Sequence, residues 1–150
     1  MSDHLNHECG IAVVRLRKPL AYFQDRYGDA LWGFVSYSCS WKSSITGGTT
    51  ALGLAAPSSI CRRGSLTFRR RDSSRDSLAN LFQLELKQVN QLARKGELEL
   101  NDPEALKQRF DFAGEVLIGH LRYGTSGEFD SGSCHPYLRR SNWPTRTLMV

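Results

Sequence analysis

The chain has 150 residues, of which 40% are hydrophobic and 23% are charged, and its net charge is +5. These proportions are typical of a folded domain with its own core, so they exclude a chain that is disordered throughout. No apolar run reaches the roughly 18 residues of a membrane-spanning helix, and the N-terminus lacks the basic and apolar stretches of a secretory signal. We therefore expect a cytoplasmic protein with reduced cysteines and no membrane partner.

Strands are predicted from apolar, β-branched runs, and helices from apolar residues at a spacing of three and four. The strands are expected near residues 9–16, 114–121 and 145–150, the helices near 75–95 and 102–110, and the start of another helix at 29–34. This mixture predicts an α+β fold. Because the chain stops inside the last predicted strand, we also expect it to be part of a longer protein.

The ends of the two complete helices carry capping signals. Ser73 and Asp76 have the spacing of a capping box before the long helix, and Gly96 follows the last turn of that helix. The short helix is expected to begin near Asn101-Asp102-Pro103, where proline is suited to the first turn.

Metal and nucleic-acid sites receive little support from the sequence. The cysteines form no CxxC pair, and neither His4-His7-Cys9 nor Cys134-His135 has an established ligand spacing with a closing partner. The densest charge cluster, residues 69–76, contains two aspartates among its arginines, so we interpret it as a solvated start of the long helix. We expect no metal and no nucleic-acid partner.

Cys9 is followed by Gly10 and an apolar strand, and it lies close enough to the start to become the first residue of a mature chain. It would then carry both a thiol nucleophile and an α-amine base, whose pKa is about 7.7–8.0. The alternative interpretation is a small buried hydrophobic residue on a strand.

A second motif, residues 118–127, joins a predicted strand to a loop of small residues. His120 and Arg122 are two apart, so they share one face of the strand. An arginine at a strand end can bind a carboxylate through two hydrogen bonds, and the loop that follows can close over a ligand. That loop comprises Tyr123, Gly124, Thr125, Ser126 and Gly127.

Together, Cys-Gly-Ile near the N-terminus, Gly-His-x-Arg-Tyr-x-Thr-x-Gly about 110 residues later and His135-Pro136 resemble the class II glutamine amidotransferases. These belong to the N-terminal-nucleophile hydrolases, and the likeness is strongest to the amidophosphoribosyltransferase family. It implies an incomplete four-layer αββα domain over residues 9–150, with residues 1–8 as a propeptide.

The resemblance also implies roles and partners. Cys9 would attack the glutamine side-chain amide, with Gly10 and His120 as supporting residues. Arg122 would hold the glutamine α-carboxylate, and residues 123–127 would close over the substrate. The ammonia released would aminate phosphoribosyl pyrophosphate, bound with Mg²⁺ in a C-terminal phosphoribosyltransferase domain that this sequence lacks. The glutaminase domain itself would need no cofactor, and the parent protein would be a homo-oligomer.

Two other functions remain open. One is the glutaminase domain of a different class II enzyme, such as glucosamine-6-phosphate synthase, although Tyr123 after Arg122 favours the amidophosphoribosyltransferase family. The other is a non-catalytic module that binds through the basic cluster of residues 69–75.

Residues 35–67 depart from the family pattern, which has there a helix and a segment resembling Gln-His-Arg-Gly-Gln-Asp-Ala-Ala-Gly-Ile. This chain instead has a segment rich in Ser, Gly and Thr, without acidic residues or a clear period of 3.6 or 2. Shifting the reading frame permits Arg-Gly-x-Asp-Gly-Ala-Gly-Ile at the corresponding place. Our hypothesis is that two compensating indels put Val35–Thr67 out of frame; the alternative is a divergent flexible insertion.

This departure predicts that residues 35–67 are disordered or poorly packed and that the helix beginning near Asp29 loses its apolar stripe. The family's Asn-Gly oxyanion donors would also lie beyond Val150, and the loss of such a donor costs roughly 100- to 1,000-fold in rate. We therefore expect the chain as written to be inactive.

Overall fold

A computed structural model describes residues 9–44, 51–57, 67–74, 76–122, 135–140 and 147–149. Along the chain it contains strand β1, helices α1 and α2, strands β2 and β3, helices α3 and α4, and strands β4, β5 and β6. Their bounds are Gly10–Arg15, Leu20–Tyr27, Trp32–Ser44, Ala51–Pro57, Thr67–Asp72, Ser77–Arg94, Pro103–Arg109, Val116–Arg122, Leu138–Arg140 and Thr147–Met149.

The principal sheet has four antiparallel strands in the order β1-β4-β2-β3, and β5 pairs with β6 in a separate two-stranded sheet. The described part of the chain therefore has an α+β fold, as the sequence predicts, with four helices, of which Leu20–Tyr27 was not predicted. The three predicted strands correspond to β1, β4 and β6, and the two complete predicted helices correspond to α3 and α4.

The hydrophobic core lies between one face of the principal sheet and the helices. Leu52 and Leu54 of β2 are almost completely buried there. Phe34 of α2 contacts the rings of three other phenylalanines at centroid distances of 5.2–5.9 Å; these are Phe82, Phe110 and Phe112. Because these rings come from different elements, the aromatic cluster ties the helical layer together.

Helix α2 corrects the expectation that residues after 34 pack poorly. Phe34, Tyr37, Ser38 and Trp41 are all buried, and their spacing of three, four and seven forms one helical face. The Tyr37 hydroxyl donates a hydrogen bond of 2.9 Å to the carbonyl of Ala12 in β1. Burial raises the pKa of Tyr37 to about 12. The sequence does contain the apolar stripe of α2, but the serines between its aromatic residues make the stripe difficult to recognise.

Strand β2 is a second correction within residues 35–67. Every residue from Ala51 to Ala56 is buried, and β2 pairs with β4 on one side and β3 on the other. A strand that is covered on both faces has a continuous apolar run and does not alternate between apolar and polar residues. A search for a period of 2 therefore does not detect it. Residues 45–50 and 58–66 lie outside the described part of the chain. The reading-frame hypothesis concerns the DNA and stays a hypothesis.

The predictions for the helix ends have different outcomes, and α4 begins at Pro103 as the sequence predicts. Asp102 caps α4 by accepting hydrogen bonds from the backbone N–H groups of Glu104 (2.9 Å) and Ala105 (3.1 Å). The capping box before α3 is wrong: Asp76 occupies the N-cap position, and its side chain makes no capping hydrogen bond. Gly96 follows α3 with φ of 72°, a conformation that favours glycine, so that end of the helix is confirmed.

We expect Gly119→Ala to destabilise the fold by about 1–3 kcal/mol, since overpacking forces side chains to move. The added methyl would lie 2.5 Å from the Tyr37 hydroxyl and 2.7 Å from Trp41 Cζ2. Urea unfolding followed by tryptophan fluorescence measures the change. Gly10→Ala is the matched control, because its methyl would lie at an ordinary 3.6 Å from Leu121. Equal stabilities of the two variants would show that α2 does not pack against β4.

Candidate active site

Strand β4 presents two chemically different faces. Leu117, Gly119 and Leu121 are buried, and Gly119 lies against Tyr37 and Trp41 of the helical layer. His120 and Arg122 alternate with these residues, so they belong to the opposite face of the sheet. We call that surface the open face. Its two polar residues come from the strand end that the sequence identifies as functional.

Cys9 lies at the same end of the sheet. It immediately precedes β1 and is exposed, so the alternative interpretation of a small buried hydrophobic residue is wrong. In β1, Gly10 pairs with Leu121 and Ile11 pairs with His120. Cys9 precedes Gly10 and Arg122 follows Leu121, so the pairing of Gly10 with Leu121 places both residues at the same end of β1 and β4.

The open face also includes one side of β1. Ile11 and Val13 are 74% and 61% exposed, whereas Ala12 and Val14 pack against the core. Cys9 shares the alternation of Ile11 and Val13. The thiol position and the guanidinium position therefore belong to one face and to neighbouring strands.

A short segment, His135–Tyr137, crosses the open face, and we call it the strap. His120, which is only 9% exposed, has its ring 5.0 Å from that of His135, and the His135 ring is 4.3 Å from that of Tyr137. Burial lowers the pKa of His120, and the proximity of His135 and Arg122 lowers it further. The neutral form of His120 is therefore favoured.

One row of paired residues runs across all four strands, and the strap contacts the members of that row in β4, β2 and β3. The paired positions in that row are Ile11, His120, Gly53 and Arg71. The carbonyl oxygen of His135 occupies the place where a side chain at Gly53 would begin, so the backbone of the strap can approach β2 only because that residue is glycine.

Two arginines of β3 hold the strap at its other side. Nη1 of Arg69 and Nη2 of Arg71 both donate hydrogen bonds to the Pro136 carbonyl oxygen, at 3.3 and 3.1 Å. The Arg71 guanidinium also lies over the Tyr137 ring, 4.9 Å from its centroid.

The intervening Arg70 points to the helical layer. It forms ion pairs of 3.0 Å with Glu85 of α3 and 3.1 Å with Asp111. Burial raises the pKa of Glu85, and the charge of Arg70 opposes that shift. The interpretation of this cluster as the start of a helix is wrong, since the three arginines lie in β3. Their alternation divides the basic run between two faces.

Cys9, Gly10, His120 and Arg122 lie at the same end of the paired strands β1 and β4. The predicted closing loop, residues 123–127, and the predicted propeptide, residues 1–8, lie outside the described residues. The sequence analysis missed Gly53, Arg71 and Tyr137 as parts of this region. The spacing of Arg69 and Arg71 was the one available signal, because residues two apart on a strand share a face.

Comparison with known proteins provides no relative: no protein-family model, no curated protein and no solved structure matches this chain. Among the described residues, no group of three or more His, Cys, Asp or Glu side chains could hold a metal ion. None of the helices described is both long and apolar enough to cross a membrane.

We expect the free energy of unfolding to fall as the pH is lowered below about 6.5, the ordinary histidine pKa in an unfolded chain. Because the pKa of His120 is lowered in the folded state, protons bind the unfolded chain preferentially in this range. The stability is fully present above the unfolded pKa and is lost as the pH falls through the folded pKa. Urea unfolding from pH 8 to pH 5 measures this loss.

His120→Gln is the control for the pH dependence, since glutamine can form hydrogen bonds but does not titrate. Its stability should vary less with pH over the same range. An identical pH dependence in both proteins would show that His120 does not cause the loss.

Proposed function

We propose that this chain carries the glutamine-hydrolysing site of a class II glutamine amidotransferase. The observation that carries the proposal is that Cys9 and Arg122, more than 100 positions apart in the sequence, flank the Gly10–Leu121 pair at one end of β1 and β4. A thiol nucleophile and a carboxylate-binding arginine at one end of neighbouring strands can act on the same small substrate.

The chemistry divides between the two ends of glutamine. The guanidinium of Arg122 donates two hydrogen bonds to the α-carboxylate, and the side-chain amide then extends toward Cys9. The thiolate forms a bond to the amide carbon, the C–N bond breaks, and the leaving nitrogen takes a proton and departs as ammonia. Water then cleaves the thioester to give glutamate and restores the thiol.

The base in this mechanism is the α-amine of Cys9, which exists only after the Glu8–Cys9 peptide bond has been cleaved. Removal of residues 1–8 is therefore part of the proposal. Cys9 is already exposed in the described structure. The cleavage therefore only has to create the α-amine base, because the thiol does not have to be uncovered.

The layer order supports an αββα arrangement of the N-terminal-nucleophile type. Helices cover one face of the principal sheet, and the strap lies on the other. The strap continues directly into β5, which pairs with β6. The proposed fold is therefore helices, the principal sheet and then a second sheet that begins at the strap.

The acceptor proposed for the ammonia is phosphoribosyl pyrophosphate with Mg²⁺, in the cytoplasm and in an oligomeric parent enzyme. This part depends on the sequence resemblance, in which Tyr123 favours the amidophosphoribosyltransferase family over glucosamine-6-phosphate synthase. The basic binding module is less well supported, since Arg70 is engaged by Glu85 and Asp111 and the arginine run does not form one surface.

In the chain that begins at Cys9, the glutamine-analogue electrophile 6-diazo-5-oxo-norleucine should alkylate Cys9 with saturable kinetics, since a single alkylation does not require the complete turnover of the parent enzyme. Peptide mass spectrometry identifies the modified residue. Cys39 is an internal control, since it is also an exposed free cysteine but lies on α2. Iodoacetamide should modify both residues, whereas the analogue should modify Cys9 alone. Saturable labelling that does not distinguish Cys9 from Cys39 would contradict the proposal.

Arg122→Ala should raise the analogue concentration that half-saturates labelling by about 10- to 100-fold, the effect of losing hydrogen bonds to a charged group. The rate with iodoacetamide, which carries no carboxylate, should not change when it is measured above the ordinary cysteine pKa of about 8.5, where the thiolate fraction no longer depends on a neighbouring charge. A parallel loss of reactivity toward both reagents would show that Arg122 supports the fold rather than the substrate.

Intact-mass measurement of the protein from its natural source should show a chain that begins at Cys9. The α-amine can serve as the base only in that form. An active protein that retains Met1–Glu8 would contradict the proposed mechanism.

A further inference from the structure

The strap connects the outer strand β3 to the strand that bears Arg122. Its Pro136 carbonyl accepts hydrogen bonds from Arg69 and Arg71, and its backbone lies on Gly53 of β2. At its other side His135 contacts His120 of β4. A change at the β3 side of the sheet can therefore be transmitted across β2 to β4.

The strap lies beside the proposed site, so this link between β3 and β4 can affect ligand binding there. A ligand held between Cys9 and Arg122 lies over β1 and β4. The strap lies next to it, over β2 and against His120, whereas Ile11 and Val13 on the β1 side are exposed. His135 therefore forms the wall of the site on the β2 side.

We propose that the strap sets the width of the glutamine site and that Arg71 is its positioning residue, acting through Pro136 and Tyr137 to hold His135 against His120. This inference rests on the proposed function, because it assigns a wall to the same site. Arg71 itself touches no substrate, as it lies two strands away from β4.

Three physical features make Arg71 suited to this role. Its guanidinium contacts the strap twice, through the hydrogen bond from Nη2 to the Pro136 carbonyl and through its position over the Tyr137 ring. Pro136 is buried and has a fixed φ, which limits the conformations that the strap can adopt. Gly53 permits the close approach that brings His135 to His120.

The decisive comparison is between Arg71→Gln and Arg70→Gln. Both changes remove one guanidinium from β3, but Arg70 lies on the helical side and bonds Glu85 and Asp111. We expect Arg71→Gln to raise the half-saturating concentration of 6-diazo-5-oxo-norleucine by about three- to tenfold, as loss of a cation–π contact and a hydrogen bond implies. Arg70→Gln should lower stability without this change.

A second pair of variants keeps the test valid if Arg71→Gln fails to fold. Tyr137→Leu removes the ring beneath the guanidinium, and Tyr137→Phe retains it. Tyr137→Leu should raise the half-saturating concentration of the analogue, as Arg71→Gln does. Tyr137→Phe should behave like the wild type. In every variant the rate of Cys9 alkylation by iodoacetamide should remain that of the wild type.

An NMR titration of His120 tests the strap without requiring activity. His135 helps to lower the pKa of His120, so release of the strap should raise that pKa toward its ordinary value. We expect the rise in Arg71→Gln and Tyr137→Leu, but not in Arg70→Gln or Tyr137→Phe. An unchanged His120 pKa, or a raised pKa with unchanged saturation by the analogue, would overturn the proposal.

The two proposals fail in different ways. If the wild-type protein reacts with iodoacetamide but shows no saturation with the glutamine analogue, the proposed function is wrong. The proposed role of the strap as a wall of the glutamine site then fails as well. If the wild type saturates and the Arg71 and Tyr137 variants behave identically to it, the function stands and the role of the strap is refuted.

Discussion

The pairing of β4 between β1 and β2 is the constraint on which the rest of the structure depends. It aligns Leu121 with Gly10 on one side and with Leu52 on the other, so one face of all three strands becomes the floor of the core. Gly119 lets α2 approach this floor closely. The side-chain period of a strand is 2, so the same register directs His120 and Arg122 away from the core.

The chemistry of the open face follows from this division. A thiol and a guanidinium at adjacent strand ends require no long loop to bring them together, because the strand register already does so. His120 lies on the same face as Arg122, and burial and the proximity of His135 and Arg122 lower its pKa, which favours the neutral imidazole.

Much of the fold could be predicted from local patterns. Leu81, Phe82 and Val89 form the buried stripe of α3, and Asp102 caps α4 because carboxylates at that position accept backbone N–H groups. Local patterns failed where burial came from several directions. The buried face of α2 includes a serine, and β2 is covered on both faces, so neither shows the simple alternation or stripe that sequence analysis seeks.

The sequence by itself determined the candidate chemistry: a cysteine before an apolar strand, and a histidine and an arginine two residues apart at the end of another. Only the tertiary structure decided that these strands are neighbours, that the Gly10–Leu121 pair brings Cys9 and Arg122 to the same end of the sheet, and that the strap rests on Gly53 between Arg71 and His120. The physical reason is that residue type and spacing encode local geometry, whereas strand order and register depend on how the whole core packs.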